Sequence, residues 1–248
     1  MIILKSTEEI EMMRQAGRVV GMTLDMVGQK IRPGMTTKEL DTLIETFLTD
    51  NGAIPAFKGY HGFPASACIS VNDEVVHGIP GIRVIREGDI VSVDVGSIVD
   101  GWYGDSARTY AVGTVPKAWS NLLEDTRLAL MAGIDKARKG HKLGEISSTV
   151  QRAAESKGYG VVRQLVGHGI GRSMHEEPQV PNFGSRNEGP VLKTGLVIAI
   201  EPMINLGTRE VKTLADGWTV VTADGQPSAH FEHTVAITDN GPDILTVA

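Results

Sequence analysis

Two stretches of this chain repeat each other, and that duplication restricts the possible fold more than any other feature. Ile31-Arg-Pro-Gly34 precedes a helical pattern closed by Asn51-Gly52, and Ala137-Arg-Lys-Gly140 precedes one closed by Lys157-Gly158. Gly34 matches Gly140, Glu39 matches Glu145 and Gly52 matches Gly158 at one constant offset. With the offset grown by a single residue, Gly88 falls on Gly195 and Asp94 on Glu201, so two apolar strands each follow a glycine turn and each end on a carboxylate. A stacked solenoid needs three or more short units, so the repeat implies two related halves instead, roughly residues 1–113 and 114–248. Their equivalent strands should meet near an axis, with Asp94 and Glu201 on facing sheets. The class expected is α/β (α+β), as one domain over residues 1–248.

The first of those strands also opens a hairpin. Residues 90–110 are rich in valine, threonine, tyrosine and tryptophan around Asp100-Gly101, a dipeptide suited to the positive φ values of a two-residue turn. With that turn, Asp94 faces Ala107 and Asp105 lies one diagonal step away on the same face. Burying two like charges on one face costs several kcal/mol unless something positive sits between them. A solvated sheet face is the alternative at this point.

Elsewhere the pattern is helical or irregular. Ser6 with Glu9 forms a capping box before Ile10, Met13, Gly17, Val20, Leu24 and Val27, and Thr36 with Glu39 opens a second helix through Leu40 and Ile44. Further helices are expected near Lys117 and Leu143. The aromatic segment from Phe57 to Pro64 is read as irregular, Ala67 to Val71 as a buried strand, and Ala229 to Ile237 as one strand carrying Glu232. A net charge of −6 provides no basic stripe for nucleic acid, and no apolar run is long enough for a membrane span or a signal peptide. Cys68 is the only cysteine, which excludes an internal disulfide and fits a reducing compartment. A soluble cytoplasmic protein is expected.

Several short motifs fail on inspection. Gly167-x-Gly169 lacks the third glycine of a dinucleotide loop, where Arg172 stands, and His175-Glu176 is not a zincin helix, because Gln179 replaces the second histidine behind Pro178. His230-x-Glu232 lacks the two cysteines of a zinc deaminase. Asp94, Asp105, His168, Glu201 and Glu232 remain. Glu201 could instead serve a structural ion pair, Glu232 an exposed face, and the glycine-framed His168 a purely structural role. Taken together, four carboxylates neutralise two divalent cations, with a neutral imidazole as fifth ligand. Such a donor set suits Mn²⁺, Fe²⁺, Co²⁺ or Zn²⁺ without choosing among them.

Six segments then carry a resemblance: Val71-Asn-Asp-Glu-Val-Val-His77-Gly-Ile-Pro80, Asp94 with Asp105, Gly167-His168-Gly-Ile-Gly171, His175-Glu-Glu-Pro178, Ile200-Glu201-Pro202-Met203 and Glu232-His233-Thr234. Over essentially its whole length the chain resembles the type I methionine aminopeptidases of the bacterial short form. The resemblance implies a pseudo-two-fold pita-bread fold enclosing two divalent metal ions. Asp94 would chelate one ion, Asp105 and Glu232 would bridge both, and His168 and Glu201 would bind the other. It implies removal of methionine from nascent polypeptides with a small second residue, through attack of a metal-bridging hydroxide on the first peptide bond. Glu201 would carry the proton to the departing amine, while His77 and His175 would orient substrate and stabilise the oxyanion.

The family's methionine pocket maps onto Tyr60, Phe63, Cys68, His77, Met174 and Trp218, a lining suited to a thioether. Phe63 stands where many relatives have tyrosine, and Met174 where many have phenylalanine, so a looser pocket is expected. Cys68 could also be a buried structural residue, and His61, His141, His230 and His233 are read as surface or structural. A monomer is implied, with no nucleic-acid or membrane partner, and with transient ribosome association left open. The rival enzyme is an Xaa-Pro aminopeptidase or prolidase of the same superfamily, which usually carries an additional N-terminal domain. The rival from another class is a non-catalytic protein-binding member, which loss of metal ligands would mark.

Overall fold

The computed structural model describes residues 1–248. Helices α1 (Thr7–Lys30) and α2 (Thr37–Asp50) lead into strands β1 (Ile54–Pro55), β2 (Ala67–Val71), β3 (Glu74–Val76), β4 (Ile90–Val99) and β5 (Trp102–Ala111). Helices α3 (Lys117–Lys136) and α4 (Leu143–Glu155) open the second half, followed by β6 (Gly160–Val161), β7 (Gly167–Gly169), β8 (Glu176–Val180), β9 (Val197–Ile200) and β10 (Met203–Asn205). Strands β11 (Val211–Thr213), β12 (Val220–Thr222), β13 (Ser228–His230), β14 (His233–Thr238) and β15 (Gly241–Ile244) complete the chain. No helix is long and apolar enough to cross a membrane.

Local chemistry accounts for the elements. Both N-terminal helices begin with the expected capping boxes, Ser6 with Glu9 and Thr36 with Glu39. Asp100 (φ 51°) and Gly101 (φ 76°) make the two-residue turn, and the hairpin takes the expected register, with Asp94 opposite Ala107 and Asp105 opposite Gly96.

The duplication is visible in the backbone. Gly34 and Gly140 take φ 88° and 87°, and Gly88 and Gly195 take φ 89° and 90°, values open to glycine and strained for other residues. The Gly34 amide donates to the Ile85 carbonyl at 2.9 Å, as the Gly140 amide does to Leu192 at 2.9 Å. The Gly88 amide donates to Val112 at 2.8 Å, and the Gly195 amide to Ile237 at 2.9 Å. Each half packs its helices against its own sheet. A core of 16 buried residues lies under α1 and α2, and one of 18 under α3 and α4. A smaller cluster containing Met13, Trp102, Ile170 and Val197 joins them. Burial of these aliphatic side chains is the main stabilising contribution, roughly 1.5–3 kcal/mol for each large one.

The halves meet along a seam with its own two-fold symmetry. The Thr109 hydroxyl bonds both the amide (2.9 Å) and the carbonyl (2.8 Å) of His230, and the Thr234 hydroxyl bonds the amide (3.2 Å) and carbonyl (2.7 Å) of Asp105. Between these clamps the Glu232 amide donates to the Ala107 carbonyl at 2.9 Å. Strand β5 of the first half is thereby stitched to residues 230–234 of the second.

One expectation is corrected here. Residues 229–237 are two strands, not one: β13 pairs with β10, β14 pairs with β9, and Phe231 and Glu232 fall in the gap between them. The facing strand is interrupted at the same level, at Glu201 and Pro202. Pro202 has no N–H to give a ladder, and the Glu232 amide bonds Ala107 across the seam, so both chains leave their sheet together.

Candidate active site and metal centre

The interrupted ladder brings the acidic residues together. Ile200 pairs with His233 and Met203 with His230, so the same register carried across the gap sets Glu201 opposite Glu232. In the other half, Cys68 pairs with Asp94, Asp94 with Ala107, and the Ala107 carbonyl meets Glu232. One transverse row therefore runs Cys68, Asp94, Ala107, Glu232, Glu201 through both sheets. His168 enters from β7, which pairs with β8 on one side and β9 on the other. Its flanking glycines permit that: a Cβ on Gly167 would collide with the Ala199 carbonyl, and one on Gly169 with the Glu177 carbonyl.

All twelve site positions expected from sequence line one cavity of about 240 Å³. Asp94, Asp105, His168, Glu201 and Glu232 form its polar wall. Tyr60, Phe63, Cys68, Met174 and Trp218 form an apolar one, in which the Phe63 and Trp218 rings pack edge to face at 5.1 Å. His77 and His175 also line it, as do Phe57, which sequence reasoning passed over, and His61, which it read as surface or structural. His61 is exposed and turns its ring onto Tyr60 at 4.4 Å, so it belongs to the cavity wall rather than the general surface. The glycine-punctuated run Lys58-Gly-Tyr-His-Gly-Phe63 was the available signal. His230 is buried and His233 half-buried, consistent with structural roles.

The electrostatics of the polar wall suit a cation. Burial, reinforced by repulsion from neighbouring carboxylates, drives Asp105, Glu201 and Glu232 well above the ordinary carboxyl range, and burial raises Asp94 to about 7. No lysine or arginine lines the cavity. Three buried oxygens, Asp94 Oδ1, Asp105 Oδ1 and Glu232 Oε1, have no hydrogen-bond partner. Unpaired buried carboxylate oxygens are costly, and metal ions satisfy exactly such groups of donors. Donor atoms of Asp105, His168 and Glu232 all lie within 4.8 Å of one another.

The imidazole is prepared for the same purpose. His168 Nδ1 lies 2.9 Å from the Gly169 carbonyl, which can only accept, so the proton sits on Nδ1 and the Nε2 lone pair is free. Nε2 points between Glu201 Oε1 (3.6 Å) and Asp105 Oδ2 (3.8 Å). Burial lowers the His168 pKa to about 4, which keeps the ring neutral. The residues present thus suit hard or borderline divalent cations.

On the opposite side, burial lowers the pKa of both His77 and His175, and each feels a neighbouring histidine as well. His175 Nδ1 lies 2.7 Å from the Tyr60 hydroxyl. Burial raises the Tyr60 pKa, so the phenol keeps its proton, donates to Nδ1, and leaves His175 Nε2–H as a donor. His77 holds φ 59°, a strained value of the kind found at functional sites. Burial also pushes up the Cys68 thiol, which stays neutral and soft.

Residues 11–239 match the model of metallopeptidase family M24. A methionine aminopeptidase of Clostridium perfringens is 53% identical over 247 residues, covering 100% of this chain and 99% of its own length. The crystal structure of methionine aminopeptidase from Rickettsia prowazekii superposes with a TM-score of 0.98 at 43% identity, each chain covered in full. Prolidase from Pyrococcus furiosus shares the fold, with a TM-score of 0.80 and 25% identity, but only 66% of that chain is covered. The architecture is the pita-bread fold, and the chain belongs to metallopeptidase family M24, on its methionine aminopeptidase branch.

Proposed function

We propose that this protein removes the N-terminal methionine from nascent proteins and peptides with a small second residue, acting as one catalytic domain. The transverse row carries the reading, because it ends in a soft, apolar pocket at Cys68 and in metal donors at Glu232 and Glu201. Asp94, Asp105, His168, Glu201 and Glu232 would hold two divalent cations. When bound, such ions activate water for attack and polarise the scissile carbonyl.

The remaining work falls to the side chains. Phe63, Trp218, Met174 and Cys68 take the methionine side chain, excluding water and offering aromatic and thiol contacts to its sulfur. Tyr60 fixes His175 through Nδ1, so that Nε2–H can donate to the substrate carbonyl as it gains negative charge. His77, neutral and buried at the same cavity, helps orient substrate. The Glu201 carboxylate is basic enough, through burial, to take a proton from the attacking water and return it to the departing amine.

The test is direct. Purified protein supplied with Mn²⁺ or Co²⁺ should release methionine from peptides beginning Met-Ala or Met-Gly. Release from Xaa-Pro substrates alone would assign it instead to the prolidase-like reading, and no hydrolysis with metal bound would favour a binding role. The same reading takes nascent chains in the cytoplasm as partners and the monomer as the working unit. Metal analysis of anaerobically purified native protein, paired with activity, identifies which cation serves.

A further inference from the structure

We propose that Lys5 and Glu176 form a positioning pair for the turn that carries Met174 and His175, making the N-terminal segment a working part of the active site. The inference rests on the function proposed above, which sets His175 against the substrate carbonyl. Residues 1–4 are exposed, yet the Lys5 side chain is only 2% exposed and that of Glu176 only 8%. The ammonium lies 2.5 Å from Glu176 Oε2 and 3.2 Å from the Ile3 carbonyl. Lysine ordinarily keeps its charge in water, so its burial in a pair needs a reason.

The surroundings supply one. The other Glu176 oxygen, Oε1, accepts from the amides of Arg172 (3.0 Å) and Ser173 (3.4 Å) and closes residues 171–176 into a turn. The Lys5 amide donates to the Gly195 carbonyl at 2.7 Å, in the turn from which the chain enters β9 and reaches Glu201. Gly171 is required by the pair: a Cβ there would lie 2.5 Å from both Glu176 Oε1 and Lys5 Cε.

A second tether holds the other side of the turn. Arg172 Nη1 donates to the Asp100 carbonyl at 3.0 Å, its guanidinium stacks 3.9 Å over the Trp102 ring, and the Tyr103 amide donates to the Gly171 carbonyl at 3.0 Å. Met174 and His175 therefore sit between an anchor on the hairpin tip and an anchor on Lys5. Catalytic donors lose effect steeply when misplaced, by up to about 100-fold for 1 Å.

Three variants test the pair. Lys5→Met leaves a buried Glu176 carboxylate unpaired, so it should lower both stability and kcat. The double variant Lys5→Met/Glu176→Gln removes both charges while keeping an acceptor for the turn amides. Its melting temperature should return towards wild type, while kcat on a Met-Ala peptide stays down by about 10- to 100-fold. KM should rise by less than kcat falls, because His175 acts on the transition state while Met174 is one of several groups around the bound side chain. Gly171→Ala, which displaces the pair sterically, should show the same split.

Wild-type kcat in the folded double variant or in Gly171→Ala would overturn the proposal, leaving a pair that only stabilises. So would a fall in bound metal large enough to account for the lost rate, measured by metal analysis on the same samples. A wild-type protein that releases no methionine from this peptide would instead remove the function on which the inference rests.

Discussion

At the scale of single residues, the site is a collection of groups whose protonation is decided by burial and whose charged forms call for cations. On the proposed function, Glu201 is the one carboxylate with two tasks, holding metal and moving a proton. Replacing it with alanine should lower kcat by roughly 100- to 10,000-fold, the range typical of a lost general acid–base group. Steady-state release of methionine checks this, and full activity in Glu201→Ala would remove the role. Asp105→Asn keeps the shape of the side chain but withdraws a charge. It should abolish turnover and lower the metal bound per chain, whereas an unchanged stoichiometry would mean that Asp105 is not a ligand. His168 shows what sequence can and cannot offer at this scale. Its glycine frame marked it, but the free Nε2 follows from a carbonyl at Gly169 that only the folded geometry identifies as the acceptor.

At the scale of elements, the hairpin and the interrupted ladder do most of the positioning. Gly96 stands opposite Asp105, and its bare face makes room for the apolar wall of the cavity: a Cβ there would lie 2.6 Å from Phe57 Cε1 and 3.0 Å from Met174 Cε. Gly96→Ala should therefore raise KM for Met-Ala peptides by about tenfold, a normal effect for one methyl group in a tight apolar subsite. An unchanged KM would show that the pocket is not on that face. The hairpin register was legible because it depends on two turn residues and strict alternation. The break at Phe231 and Glu232 was not, because nothing local forbids a strand there. The chain leaves the sheet because its partner does so at Pro202 and because a third strand from the other half captures the Glu232 amide. Pro202, directly after a carboxylate in an apolar run, was the only local warning.

At the scale of the whole molecule, the concentration of buried acid links stability to metal and pH. Removing metal leaves Asp94 with a folded pKa near 7, and Asp105, Glu201 and Glu232 well above the ordinary carboxyl range, against an unfolded value near 4. The folded state then binds these protons more tightly, so this contribution is full at low pH and is lost as pH rises through the folded values. Burial lowers the pKa of His168 and His233 to about 4 and of His230 to about 3, and these groups act in the opposite sense, but only below about 6.5. Between pH 6.5 and 8 the carboxyls therefore decide. Chelator-stripped protein should melt lower at pH 8 than at pH 6.5, by about 2–4 °C for each kcal/mol lost. Added divalent metal should raise the melting temperature more at pH 8. Thermal unfolding across that range, with and without metal, checks both statements, and a flat apo profile would contradict the burial of the four acids. The sequence by itself determined the two related halves, the hairpin register and the residues gathered at the site, because turn glycines, capping boxes and alternation act over a few neighbouring residues. Only the tertiary structure decided which carboxylates face each other across the seam, where the paired strands break, which nitrogen of His168 is free, and that Lys5 reaches Glu176. Those outcomes depend on contacts between distant segments, whose energies exist only once both halves have packed.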